Sequence, residues 1–181
     1  MRRRGAIWGR RAIQSKGIAF LLGLILAGCG SDDDDGTKFG DAAELRTYRG
    51  SINSIIDSVS AIDSTVVARA YNSSGTLATA ENLNEVFLEV RPHLLEALVE
   101  LDRVAPPARL LSLHNTIRSL IILRLDAYAL VMEGFSTQDE ALYTTAEEKL
   151  AAANAIIPDI NNTLCDIDLA LGATGQCRLL A

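Results

Sequence analysis

From about residue 41 onward, apolar residues recur at alternating intervals of three and four. Leu45, Tyr48, Ile52, Ile55, Val59, Ile62 and Val66 make one unbroken stripe, the spacing that aligns side chains along one face of an α-helix. The stripe stops near Tyr71, where Asn72-Ser73-Ser74-Gly75 supplies turn chemistry. A second stripe opens near Thr79 and runs through Leu83, Phe87, Val90, Leu94, Ala97, Leu101 and Val104. Pro92 lies inside it and removes one backbone donor, which predicts a kink. Pro106-Pro107 then makes a short, stiff connection, because a residue before proline avoids the helical region. The two helices are expected to form an antiparallel hairpin.

A third helix is expected from about Pro107 to Glu133, with Leu110, Leu113, Ile117, Leu120, Ala127 and Val131 on its stripe and Gly134 as its stop. Its middle, Leu120-Ile121-Ile122-Leu123, is apolar all round, which predicts either deep burial or an exposed sticky patch. The fourth helix is expected to begin at a capping box formed by Thr137 and Glu140. It continues through Leu142, Ala146, Leu150, Ala153, Ile157, Ile160, Leu164 and Ile167, with Pro158 as a late kink. No stretch of useful length alternates with the period of a strand. The fold class is therefore all-α, and an up-down-up-down four-helix bundle is the simplest closed arrangement. Three helices with a broken fourth is the variant left open.

Charge divides the chain into unlike parts. Residues 1–28 hold six basic and no acidic side chains, so the remainder has 11 Lys+Arg against 23 Asp+Glu, a net charge of about −12. A domain this acidic repels phosphate backbones and anionic lipid, so nucleic acid is not an expected partner. The basic segment ends at Lys16, an apolar stretch runs from Gly17 to Leu26, and small residues Ala27 and Gly28 follow. That order is the order of a secretory signal peptide, and the apolar stretch is short of the roughly 20 residues a spanning helix needs.

Leu26-Ala27-Gly28-Cys29 resembles the lipobox of bacterial lipoproteins: an aliphatic residue, two small residues and the cysteine that receives the lipid. The resemblance implies cleavage before Cys29, diacylglycerol on its thiol and acylation of the new amino group by a chain such as palmitate. Two or three acyl chains give stable anchoring, since each buried methylene contributes ~0.8 kcal/mol. Gly9-Arg10-Arg11-Ala12-Ile13 partly resembles a twin-arginine export signal but lacks the usual Ser or Thr before the arginines. Gly30 follows Cys29 in place of the aspartate that resembles an inner-membrane retention signal, so the outer membrane is the expected address in a host that has one. Residues 29–40, with Asp32 to Asp35 in a row, read as a solvated acidic tether. Residues 41–181 read as the helical domain.

The remaining two cysteines, Cys165 and Cys177, stand near the end of the last helix and beyond the Gly172-Ala173-Thr174-Gly175 turn. Outside the cytoplasm such a pair is expected to be a structural disulfide. The loop it closes, about a dozen residues, is worth roughly 2 to 3 kcal/mol.

Catalytic chemistry finds little to hold. Gly-x-Ser-x-Gly, phosphate-cradling glycine loops and the Cys-x-x-Cys-His of covalent haem are all absent from the sequence. His93 and His114 stand on predicted helices, with Glu96 and Glu100 near the first, yet neither Glu-x-x-His nor His-Glu-x-x-His occurs. They are expected to be surface or interface histidines, with no metal and no cofactor. Arg124 interrupts the third stripe between Leu120 and Ala127. Its stem either packs while the charge reaches the rim, or the guanidinium forms a ligand site inside the bundle together with Tyr128. The expected function is that of a membrane-anchored envelope lipoprotein whose bundle, without enzymatic activity, engages an envelope protein or supports an assembly. The alternative is a small-ligand-binding or sensory bundle. One further segment, Leu101 to His114 with Pro106-Pro107 and Leu110, Leu113 behind it, resembles a stretch found in secreted helical proteins of bacteria; it implies the hairpin and the exported setting.

Overall fold

Each apolar stripe folds as one helix. In the computed structural model α1 spans Ala42–Ala70, α2 Ala80–Arg103, α3 Leu111–Thr137 and α4 Glu140–Ala170. The structure describes residues 36–70 and 79–174, together with Cys177 and Leu180. The signal segment, Cys29, the aspartate run through Asp35 and the turn at residues 72–75 lie outside the described residues. Residues Asp34–Ala181 form a single compact unit.

Successive helices pack on one another, α1 on α2, α2 on α3 and α3 on α4. The ring closes where Arg49 near the start of α1 meets Asp168 near the end of α4. This is the four-helix bundle expected, and the variant with a broken fourth helix falls away, because α2 and α4 continue through Pro92 and Pro158. The stripes form the core: Ile52, Leu94, Leu120, Ile160 and Leu164 are completely shielded from solvent. A second row beside the stripes joins them, with Ile56, Val86, Ile121 and Leu125 also buried. That widening is what a bundle core requires over a two-stranded seam.

Three helix boundaries differ from expectation for local reasons. The third helix begins at Leu111 after a turn of 3-10 helix at Ala108–Leu110, so the prolines are followed by a tighter turn before the α-helix proper. Gly134 does not stop α3. A Cβ there would meet Asp139 O at 3.1 Å and Leu142 Cβ at 3.3 Å, so glycine permits the close return of the chain. The helix ends instead at Gln138, whose φ of 57° supplies the left-handed cap. The capping box at Thr137 does not form either, because Thr137 still belongs to α3 and donates to Glu133 O. Asp139 takes over as the cap of α4, its Oδ1 accepting from Ala141 N at 2.9 Å.

The folded region also begins earlier than expected. Within the stretch read as tether, Gly36–Thr37 (β1) and Gly40–Asp41 (β2) pair antiparallel, the one sheet among the described residues. Gly40, at φ +117°, makes the tight return possible. Thr37 Oγ1 donates to Gly40 O and accepts from Phe39 N, and Phe39 packs against the core. Asp41 then caps α1, accepting from Ala43 N and Glu44 N at 2.9 and 2.8 Å. At the other end Cys165 and Cys177 are joined as a disulfide with their Cα atoms 5.1 Å apart. Asn161 exchanges two hydrogen bonds with the backbone of Leu180, and Leu180 is buried. No described helix is long and apolar enough to cross a membrane.

Candidate functional site

Arg124 is the polar residue that the third stripe could not absorb, and it is buried, with 4 % of its surface exposed. Its charge does not reach the rim. It meets Asp63 of α1 across the core, Nη1 to Oδ2 at 2.5 Å. The two atoms are sealed from solvent and are each other's partners in a single-contact ion pair. Burial pushes the Asp63 carboxyl up to about 6, with Arg124 pulling against that rise. A cleft of about 250 Å³ opens beside the pair. Tyr128, one helical turn beyond Arg124, lines it, and its ring stacks on Phe87 of α2 at 4.2 Å between centroids. Burial raises the Tyr128 phenol to about 12, so it stays protonated at physiological pH. The two residues expected to share a ligand site, Arg124 and Tyr128, thus line one cleft. Asp63 is the participant that sequence reasoning missed. The signal was there, since Asp63 adjoins Ile62 within the first stripe and falls midway between Val59 and Val66.

The histidines do not come together as a site. His93 is exposed and lines an open groove between α1 and α2, facing Ser58, Ala61 and Thr65, with Glu89, Glu96 and Glu100 on its own helix. His114 is buried, which selects the interface position of the two expected. Its ring lies 6.2 Å from that of Tyr48, its Nδ1 has no hydrogen-bond partner, and desolvation holds its imidazole below the usual basicity. Among the described residues, no three His, Cys, Asp or Glu side chains are arranged to hold a metal ion.

A second polar pair is structural. Arg49, buried, forks onto Asp168 with Nε to Oδ1 at 2.7 Å and Nη2 to Oδ2 at 2.8 Å, and also donates to Asn53 Oδ1. Both carboxylate oxygens are engaged in fork geometry, unlike the single contact between Arg124 and Asp63.

Of the two outcomes expected for Leu120 to Leu123, burial is the one realised. Leu120 and Ile121 are completely buried and Ile122 and Leu123 half-buried, because α3 packs against both α2 and α4 and reaches α1 through Arg124. Exposed apolar side chains gather instead on α2. Leu88, Leu95 and Val99 are 53, 39 and 49 % exposed, and exposed Pro92 fills the gap, giving intervals of four, three and four along one face. At 100° per residue this face points nearly opposite to the buried face made by Phe87, Val90, Leu94 and Leu101. Exposed Glu81, Glu85, Glu89, Glu96 and Glu100 border it.

No family model matches the chain, no curated protein matches it and no solved structure matches it.

Proposed function

We propose that this chain is a lipoprotein of a bacterial cell envelope, anchored through Cys29 and facing outside the cytoplasm, whose bundle engages another envelope protein along α2 without catalysing a reaction. The observation that carries the interaction reading is the apolar ridge of Leu88, Pro92, Leu95 and Val99 on the side of α2 turned away from the core. A regular apolar face on an otherwise acidic surface is not explained by packing within the bundle. Its glutamate border disfavours anionic lipid as the occupant and favours a protein ridge flanked by Lys or Arg. The anchoring reading rests on Leu26-Ala27-Gly28-Cys29 and the basic-then-apolar segment before it.

Two experiments test the two halves. In cells supplied with labelled palmitate, the chain is expected to take up label and fractionate with membranes, and Cys29→Ser to lose both properties. Label retained by the Cys29→Ser chain would overturn the anchoring reading. A photo-crosslinking residue at Leu95 is expected to capture one envelope protein, with capture lost on adding Leu88→Glu and Val99→Glu. A residue at exposed Thr144 on α4 serves as control. Equal capture from both positions, or capture indifferent to the glutamates, would overturn the interaction reading.

A further inference from the structure

The charges beside the α2 ridge are not spread evenly. At 100° per residue, Glu85, Glu89, Glu96 and Glu100 all fall on one side of the line through Leu88, Pro92, Leu95 and Val99. Glu96 stands about 70° from that line, and Arg91 stands about 70° from it on the other side. Asp102, the acidic residue on the Arg91 side, is already paired with Arg118 of α3. Neither Arg91 nor Glu96 has an ion-pair partner among the described residues. They cannot serve each other, because residues five apart are not neighbours on a helix surface. The ridge thus has one cationic and one anionic flank, each with a charge that its own chain leaves unmatched.

We propose that the envelope protein met by this ridge is a second copy of the same chain, the two α2 helices lying parallel about a two-fold axis. The inference rests on the interaction reading and names its partner. A two-fold axis along the helices sets the Arg91 side of one copy against the Glu96 side of the other. Leu88, Pro92, Leu95 and Val99, at intervals of four, three and four, then meet their own counterparts across the axis. Arg91 reaches Glu96 of the second copy, at the five-residue offset where flanking charges of parallel helices pair, and symmetry makes that pair twice. An antiparallel pair would set the glutamate sides against each other, with Glu89 opposite Glu96. The point where the chain leaves the bundle agrees. Lys38 touches Arg109 and Asp166, so the hairpin sits at the end where α2 gives way to Pro106-Pro107. Both copies then start from one end, and both Cys29 anchors lead to one bilayer. Glu81, on the ridge line two turns ahead of Leu88, meets its own like charge and ends the contact there, so the seam is about 17 Å long. So short an interface is small, and confinement to one membrane supplies the concentration at which it forms.

The test uses the full chain in cells, with single cysteines introduced, a mild oxidant, and electrophoresis without reductant. Leu95→Cys and Val99→Cys are each expected to give a reductant-sensitive species of twice the chain's mass, and exposed Thr144→Cys none. Arg91→Glu and Glu96→Arg each set like charges together twice, and each is expected to lower the linked fraction of Val99→Cys roughly tenfold. The two changes in one chain are expected to return it. Since residues 91 and 96 do not meet within one helix, that rescue reads a contact between copies. Where Arg91→Glu fails to fold, the loss on Glu96→Arg, at an exposed position, and the orientation of the cysteine links decide the matter. Linkage found only between Leu88→Cys and Val99→Cys chains expressed together means an antiparallel pair and overturns the proposal, as does a folded double variant no better linked than the single ones. A photo-crosslinked product at Leu95 that holds a different protein, with no doubled species, overturns this inference and leaves the interaction reading intact. No product of either kind overturns both.

Discussion

Replacing Asp168 by Ala removes both oxygens from a guanidinium that has almost no access to water. The Arg49 side chain is 5 % exposed and that of Asp168 15 %, and the pair is held by two contacts of 2.7 and 2.8 Å. Breaking a buried pair by deleting one partner costs about 3 to 5 kcal/mol, since the surviving charge is left desolvated. Asn53 still accepts one Arg49 hydrogen bond and Asp168 is not fully buried, so the lower end applies, about 3 kcal/mol. For a unit of this length that corresponds to a fall in melting temperature of roughly 10 °C. The informative comparison is the double replacement Arg49→Met with Asp168→Leu. If the single change is costly because of the stranded charge, the double change returns most of the loss. Urea unfolding followed by circular dichroism at 222 nm, with the slope m checked for constancy, measures wild type and both variants. The reasoning is refuted if Asp168→Ala costs under about 1 kcal/mol, or if the double variant is as unstable as the single one.

Ile121→Ala, at a completely buried position, is expected to cost about 2 to 5 kcal/mol, whereas Leu88→Ala on the outward face of α2 is expected to stay within about 0.5 kcal/mol; urea midpoints distinguish them. Cys177→Ser opens the disulfide to Cys165 and is expected to lower stability by roughly 2 to 3 kcal/mol, with no further change when reductant is added. Carbon-detected NMR is expected to place the Asp63 carboxyl midpoint at about 6, and Arg124→Gln to move it higher, because Arg124 opposes the rise. The same shift carries a stability consequence of fixed sign. Asp63 holds its proton more tightly in the folded chain, so its contribution favours folding below about pH 4 and is lost as pH rises through about 6; wild type minus Asp63→Asn isolates it.

The stripes were readable because burial in a bundle imposes the helical period on the sequence. Leu45, Tyr48, Ile52, Ile55, Val59 and Ile62 were all expected in the core and are all buried there. The second row, Ile56, Val86, Ile121 and Leu125, lies beside the stripe, and how wide a helix face is covered depends on neighbours that one segment does not reveal. Gly134 shows the same limit at a boundary. Its neighbours in sequence suggest a stop, but the reason for the glycine is Asp139 O folding back to 3.1 Å from where a Cβ would stand. Arg124 announced itself as an anomaly on its own helix, while Asp63 and the Arg49–Asp168 fork could not be paired from sequence. The fork joins residues 119 apart, and nothing local encodes which of many surface-like charges will meet across the core.

The hairpin at Gly36–Asp41 has a mechanical meaning. Any pull on the chain ahead of residue 36 enters the bundle at the start of α1, where Phe39 is seated on the core and Lys38 reaches Asp166 of α4 at 2.7 Å. Arg49 clamps onto Asp168 at that same end, and the Cys165–Cys177 bond ties the tail to it. Tension is thereby shared between the first and last helices at its point of entry, in shear along their length. Peeling α1 away would first have to strip Phe39 from its seat and part the Arg49 fork.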